Sequence, residues 1–232
     1  MESSFFRFLN EQLYSTSSKN IELSTSQMEA YHKGFSAQCK LWDKDPLFII
    51  YKWINSLFKG KSVKIVDIGA GEGILSSTLH HYKCLLNSVE NAKKVKHFPI
   101  KPTFKAKVNA YDLYPVNKFV ETANAAKIPL PDDCCHCAVF CLSLMGTDYS
   151  DFLKESNRLV KINGFIIIAE VQSRLVDCKP KFVKACCVAF GWKLLKQVDE
   201  SHFCVFLFQK VKADAFIDKP FPKLLPCLYK KR

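Results

Sequence analysis

A chain of 232 residues with 48% hydrophobic content has the size and apolar share of one α/β domain with additions, which sets aside disordered and fibrous classes. No apolar run approaches the roughly eighteen residues of a membrane span, and the N-terminal MESSFFRFLNEQ is acidic and amphipathic, unlike a secretory signal; no membrane association is expected. The formal charge of +12 favours a polyanionic partner, nucleic acid being the commonest, with a solvated lysine surface as the alternative; eleven cysteines, some in adjacent pairs inside apolar stretches, fit buried thiols in a reducing compartment better than a disulfide framework.

Phe5, Phe6, Phe8, Leu9 and Leu13 place an amphipathic helix over 1–14. The serine- and threonine-rich stretch 15–26 reads as a loop with an N-cap at Ser24 or Ser26. A second helix is expected over about 26–41, and a third starts after Pro46 and closes at Gly60. Residues 1–60 therefore form a helical cap ahead of the first strand.

That strand is Val63–Ile68, with Val63, Ile65, Val66 and Ile68 too densely apolar for a half-exposed strand. It runs into a turn carrying Gly69, Gly71 and Gly73, and helical spacing resumes at Ile74, Leu75, Thr78 and Leu79. Strand, glycine turn and helix make the ligand-side corner of a doubly wound sheet. The third glycine of a GxGxxG dinucleotide fingerprint would fall at Ile74, so that reading fails. GxGxG with Asp67 two residues ahead instead resembles motif I of S-adenosylmethionine (SAM) methyltransferases, against the alternative of a tight turn in any α/β protein.

Tyr82–Lys107, with Lys93, Lys94, Lys96, Lys101, Lys105 and Lys107, reads as a basic surface insertion. Strands are expected at Val108–Leu113 and Phe119–Ala123, and, after a turn over Ile128–Asp133, at Cys137–Ser143. Cys134 and Cys137 have chelating spacing, but no second pair completes four ligands, so no metal is expected. A helix over about 148–160 ends at Asn163-Gly164, and Phe165–Val171 is a fully buried strand. Phe182–Phe190 is a helix closed by Gly191, and Trp192–Val198 with His202–Gln209 makes a hairpin around Asp199–Ser201. Residues 61–211 thus form a Rossmann-like α/β domain with a seven-stranded, mostly parallel sheet and a C-terminal antiparallel hairpin, the class I methyltransferase arrangement. Residues 212–232 are expected to be a basic tail.

Three stretches carry a more specific resemblance. They are FLNEQLY at 8–14 with YHKGF at 31–35, VFCLSLMGT at 139–147, and AEVxSR at 169–174 with SHF at 201–203. Together they are similar to the ribosomal RNA-processing protein 8 (nucleomethylin) family, over about residues 5–211. The resemblance implies a SAM-dependent methyltransferase acting on N1 of an adenosine in large-subunit ribosomal RNA. It implies the large-subunit rRNA or pre-ribosome as partner and the nucleus and nucleolus as location. A second reading is a SAM-binding adaptor with little or no catalysis among chromatin proteins.

Carried over residue by residue, the resemblance implies that His32, Asp67, Gly69, Gly71, Asp112, Asn124, Ala125 and Cys141 bind the cofactor. Asp112 would accept the ribose hydroxyls; Glu90 competes for that role by proximity to the glycine turn, and the family pattern from YDL onward favours Asp112. Asn124 stands where the family has an aspartate facing the adenine amino group; its carbonyl can still accept that N–H, without the charge. Ala125 replaces a larger apolar residue, and His136 stands where the fourth strand begins with an aspartate. No catalytic residue is assigned, because the N1 lone pair needs alignment and not a strong base. Tyr14, Tyr31 and Phe35 are candidates by type for an aromatic wall around a base taken out of its stack. Cys141 lacks the neighbouring proline of cytosine-C5 enzymes and is read as a wall, not a nucleophile. The lysines of 93–107 and the terminal LYKKR are candidates for contact with RNA phosphates.

Overall fold

The computed structural model describes residues 2–85, 101–212 and 220–227. Three helices come first: α1 (Glu2–Ser15), α2 (Thr25–Cys39) and α3 (Pro46–Leu57). Ser24 caps α2 in a reciprocal capping box with Gln27, which satisfies two of the orphan N–H groups of its first turn. Asp45 caps α3, whose first residue, Pro46, has its φ preset for that position. Phe6, Leu9 and Leu13 of α1 recur on one face and pack on Met28 and Tyr31 of α2, forming a small core of their own.

The remainder alternates strand and helix: β1 (Ser62–Ile68), α4 (Ile74–Leu85), β2 (Lys105–Asp112), β3 (Glu121–Thr122), β4 (Cys135–Cys141), α5 (Tyr149–Leu159), β5 (Val160–Val171), α6 (Lys179–Phe190), β6 (Trp192–Asp199) and β7 (Phe203–Lys210). They build one seven-stranded sheet in the order β3-β2-β1-β4-β5-β7-β6. The first five strands pair in parallel; β7 is antiparallel to both β5 and β6. One face packs on α3 and α4 through Ile54, Phe58, Val63, Ile65, Leu75 and Val139. The other packs on α5 and α6 through Phe140, Phe152, Ile166, Phe182, Phe190 and Phe206. The expected cap, sheet and hairpin are all present, and the order reverses beside β1, where sheets of this kind bind ligands.

Several boundaries differ from the sequence expectation. Strand β2 begins at Lys105, not Val108, because pairing to β1 runs from Ser62↔Lys105 onward. Lys105 and Lys107 are therefore sheet residues, not insertion; residues 86–100 of that segment, with Glu90, lie outside the described residues. Strand β3 is confined to two residues. Strand β4 ends at Cys141, two residues early, because Leu142 turns to φ +60 while its N–H bonds Ala169 O at 2.9 Å. Asn163-Gly164 does not end a helix. It lies inside β5, where Asn163 takes φ +63 and the register with β4 shifts between Cys135 and Cys137, a bulge.

Residues 220–227 are no free tail. Leu224 and Cys227 are buried, Tyr149 donates to Pro222 O at 2.6 Å, and Asn10 Nδ2 donates to Cys227 O at 2.6 Å. The LYKKR end lies outside the described residues. The hub of this strapping is Arg174, 1% exposed. It pairs with Glu170 at 2.6 Å, donates to Leu144 O and Leu225 O, and lies 4.3 Å from the centre of the Tyr14 ring.

Candidate functional site

The C-terminal ends of β1, β2 and β4 open into a cavity of about 230 Å³, roofed by α1, α2 and the loop between them. All eight residues singled out from the sequence for cofactor binding line it: His32, Asp67, Gly69, Gly71, Asp112, Asn124, Ala125 and Cys141. They come from separate stretches of chain, and the parallel sheet brings them together by ending its strands on one side.

The glycine turn is fastened downward. Gly69 and Ala70 donate N–H to Tyr111 O at 2.8 and 2.9 Å, and Gly71 donates to Asp112 Oδ2 at 2.9 Å. With these amides turned toward β2, the turn offers no nest of free N–H groups to a phosphate. Gly69 has φ +69, and a Cβ there would stand 2.4 Å from Ser143 Cβ, so no larger residue fits. Ser143 in turn donates to Ile68 O at 2.6 Å, pinning the loop after β4 against the end of β1.

Asp112 is buried and accepts from Gly71 N and, through Oδ1, from Tyr114 N at 3.0 Å. Each carboxylate oxygen keeps a lone pair for a ligand hydroxyl. Asp67 is 3% exposed, and its carboxyl is pushed up to about 7, first by burial and then by the charge of Asp112. Such a group favours a cation arriving in the cavity.

Protonation at Asp67 also bears on stability. With its folded pKa raised from 3.8 to about 7, ionisation costs stability increasingly between those values, and the full cost holds above about pH 7. Asp67→Asn is therefore expected to raise the unfolding free energy at pH 8, with ~4 kcal/mol as the ceiling for three pKa units. The gain should shrink toward zero as pH falls to about 4. Thermal or urea unfolding of both proteins across that range checks it; a pH-independent difference would contradict the assignment.

His32 is buried on α2, and its Nε2 has no hydrogen-bond partner among the described residues. A Cβ at Gly71 would sit 3.5 Å from its Nδ1, so the imidazole closes the roof directly over the glycine turn. Asn124 is more committed than its sequence position implied. Its Oδ1 accepts from Ala126 N at 2.8 Å, and its Nδ2 donates to Ser18 Oγ at 3.1 Å. At most one carbonyl lone pair is left for a ligand N–H. Cys141 is a wall residue; burial holds its thiol well above the ordinary range, which disfavours a thiolate nucleophile.

Of the three aromatic candidates, Tyr31 and Phe35 line the cavity, with ring centres 6.1 Å apart. Tyr14 does not; it lies under Arg174 with its hydroxyl buried and unpartnered. Among the described residues no cluster of three potential metal ligands occurs, and the ten cysteines whose side chains are described are free.

Sequence reading missed what docks the roof. Asp148 accepts from Ser18 N at 2.9 Å, Ser17 Oγ at 2.8 Å and Ser18 Oγ at 2.7 Å, and these hydrogen bonds hold its carboxyl below the usual range against burial. Beside it, a Cβ at Gly146 would stand 2.9 Å from Thr16 O, so the MGT turn is shaped around the backbone of the cap loop. Serines 17 and 18 lay in a stretch read only as a polar loop, and nothing local in the sequence pointed them at Asp148.

A family model described as "hypothetical methyltransferase" matches residues 1–96 and 99–232. Ribosomal RNA-processing protein 8 of Drosophila melanogaster is 36% identical over 98% of this chain and 57% of its own length. The Caenorhabditis elegans protein of the same name is 33% identical over 100% and 61%. The 25S rRNA (adenine(645)-N(1))-methyltransferase of Schizosaccharomyces pombe is 29% identical over 100% of this chain and 70% of its own. The chain thus spans about three fifths of the first two relatives. Among solved structures, the [4+2]-cyclase SpnF superposes with a TM-score of 0.50 at 11% identity, over 86% of this chain and 98% of that one, a likeness of fold alone.

Proposed function

The chain belongs to the family described as a hypothetical methyltransferase, and from that premise we propose that it transfers a methyl group from SAM to N1 of an adenosine in large-subunit rRNA. The observation that carries this reading is the convergence of Asp67, Asp112, the glycine turn, Asn124, Cys141 and His32 on one roofed cavity. The names of the relatives supply the acceptor.

The donor set suits a nucleoside bearing an amino acid. Asp112 offers carboxylate oxygens to ribose hydroxyls, and Asp67 offers a charge to an ammonium group. His32 Nε2, buried and unpartnered, can serve a carboxylate. The amides of the glycine turn are already spent, which disfavours a phosphate-rich cofactor. When bound, SAM supplies an electrophilic methyl on a sulfonium centre. Leu142, Cys141 and Met145 line the cavity and exclude water from it. Phe35 offers a ring for an extruded adenine, with Tyr31 stacked between Phe35 and Phe6 behind it. The lone pair of adenine N1 lies in the ring plane, so alignment supplies much of the rate and no side chain need take a proton in the displacement.

On this reading the protein acts in ribosome biogenesis, with the nucleus and nucleolus as its location. The test is to delete the gene and map N1-methyladenosine in large-subunit rRNA by reverse-transcription stops. Loss of one stop, restored by the wild-type gene, is the expected result. Persistence of every such mark would overturn the assignment.

A further inference from the structure

We infer that the N-terminal half of the sheet face formed by β1 and β2 is a docking surface for the phosphate backbone of the RNA substrate. The inference rests on the rRNA reading above and adds where the flanking RNA runs.

No helix joins β3 to β4; the connection is the stretch 123–134, whose Ala123, Ala125, Ala126, Ile128 and Leu130 cover only the C-terminal side of that face. Helices α5 and α6 lie over the other strands. Among the described residues the N-terminal half is uncovered, and its exposed side chains are Ser62, Lys64, Lys105 and Lys107, with Asn109 half-buried beside them. Lys64 of β1 and Lys107 of β2 are directly paired in register, both exposed, with Lys105 one pleat further along the same face. Lys61 precedes β1 and is tied to β2 by Lys105 N–H to Lys61 O at 2.9 Å.

On the β4 side, His136 accepts from the backbone N–H of Lys64 through Nδ1 at 3.0 Å, so the proton of the neutral ring is on Nε2. Burial, then the charges of Lys161 and Lys64, hold its pKa below the ordinary value. Among the described residues none of Lys61, Lys64, Lys105, Lys107 and Lys161 has an acidic partner, whereas Asp132 and Asp133 nearby are held by Arg158 and Lys210. Like charges opposite one another weaken a strand pair. Retaining Lys64 beside Lys107 without a carboxylate between them is accounted for by an anion from outside.

The geometry joins this face to the cavity. Lys107 and Asp112 are on the same strand five residues apart, about 17 Å at roughly 3.3 Å per residue. A nucleotide delivered to the cavity would leave its neighbours within reach of the lysines, whose ammonium groups read charge and not base sequence. The contact is with phosphates, so it should register chiefly as salt dependence.

The experiment compares wild-type protein with Lys64→Gln/Lys105→Gln/Lys107→Gln. The probe is a fluorescent transcript of 25S rRNA spanning adenine 645, the position in the relatives' name, and anisotropy is read over a range of potassium chloride concentrations. Each lost phosphate contact should reduce the slope of log K against log salt by about 0.7–0.9. The triple variant is expected to lose a slope of about two and to bind roughly ten- to hundredfold more weakly at low salt. SAM affinity and thermal midpoint should be unchanged, and the arginine counterparts at the three positions should restore the slope. Wild-type affinity and slope in the glutamine variant would overturn this surface while leaving the enzyme's assignment intact. Failure of the wild-type protein to bind or methylate the transcript would instead overturn the rRNA reading, and the surface with it.

Discussion

Arg174→Ala is expected to destabilise the fold by about 3–5 kcal/mol, the cost of stranding one partner of a buried ion pair. Its guanidinium is 1% exposed, and its partner Glu170 is fully buried. Glu170 Oε2 accepts from Arg174 at 2.6 Å, and Oε1 accepts from Val171 N at 2.7 Å. Burial pushes the Glu170 carboxyl up and Arg174 pulls it back, so removing the arginine leaves an acid with little reason to ionise. The same substitution frees Leu144 O and Leu225 O and uncovers the Tyr14 ring. Urea unfolding followed by circular dichroism measures it. Arg174→Lys should recover only part of the loss, since an ammonium cannot span these acceptors or lie flat on the ring. A loss below about 1 kcal/mol for the alanine variant would show that the hub is not what holds the strap.

Asp112→Ala is expected to weaken SAM binding at least about a hundredfold, and Glu90→Ala to leave it within a few-fold. Two hydrogen bonds to a charged acceptor contribute about 1.5–3 kcal/mol each, and every 1.4 kcal/mol is tenfold in affinity. Asp112 also tethers Gly71 N and Tyr114 N, so the alanine variant loosens the glycine turn as well as removing the ribose acceptor. Isothermal titration calorimetry reads both variants. Retained affinity in Asp112→Ala, with loss in Glu90→Ala, would transfer the ribose role to Glu90.

Much of this was legible because it is local. The run VKIV announced a buried strand, the spacing of glycines excluded a dinucleotide turn, and Pro46 marked the start of a helix. Strand ends were less legible. Lys105 and Lys107 looked like loop residues because they continue the lysine-rich run from Lys93, although Lys105–Ala110 alternates polar and apolar residues, and pairing to β1 identifies them as strand. Leu142 gave no sign of leaving β4, since its positive φ is imposed by Ser143 packing against Gly69. The cavity residues followed from the family pattern one at a time, but their surroundings did not. Asn124 shares its amide with Ser18 and Ala126, and Tyr14 serves Arg174 instead of the cavity, because both depend on contacts from distant segments.

The hydrogen bond from Asn10 to the carbonyl of Cys227 spans 217 residues. During synthesis Asn10 emerges 217 residues ahead of Cys227, so the cap helices wait for the whole sheet before this partner arrives. At about 5–20 residues per second that delay is roughly ten to forty seconds. Through that interval the apolar underside of the roof has no finished lid-to-strap closure, and a nascent chain stalled before Pro222 would keep it so. Emergence of the segment from Pro222 to Cys227 is what ends it.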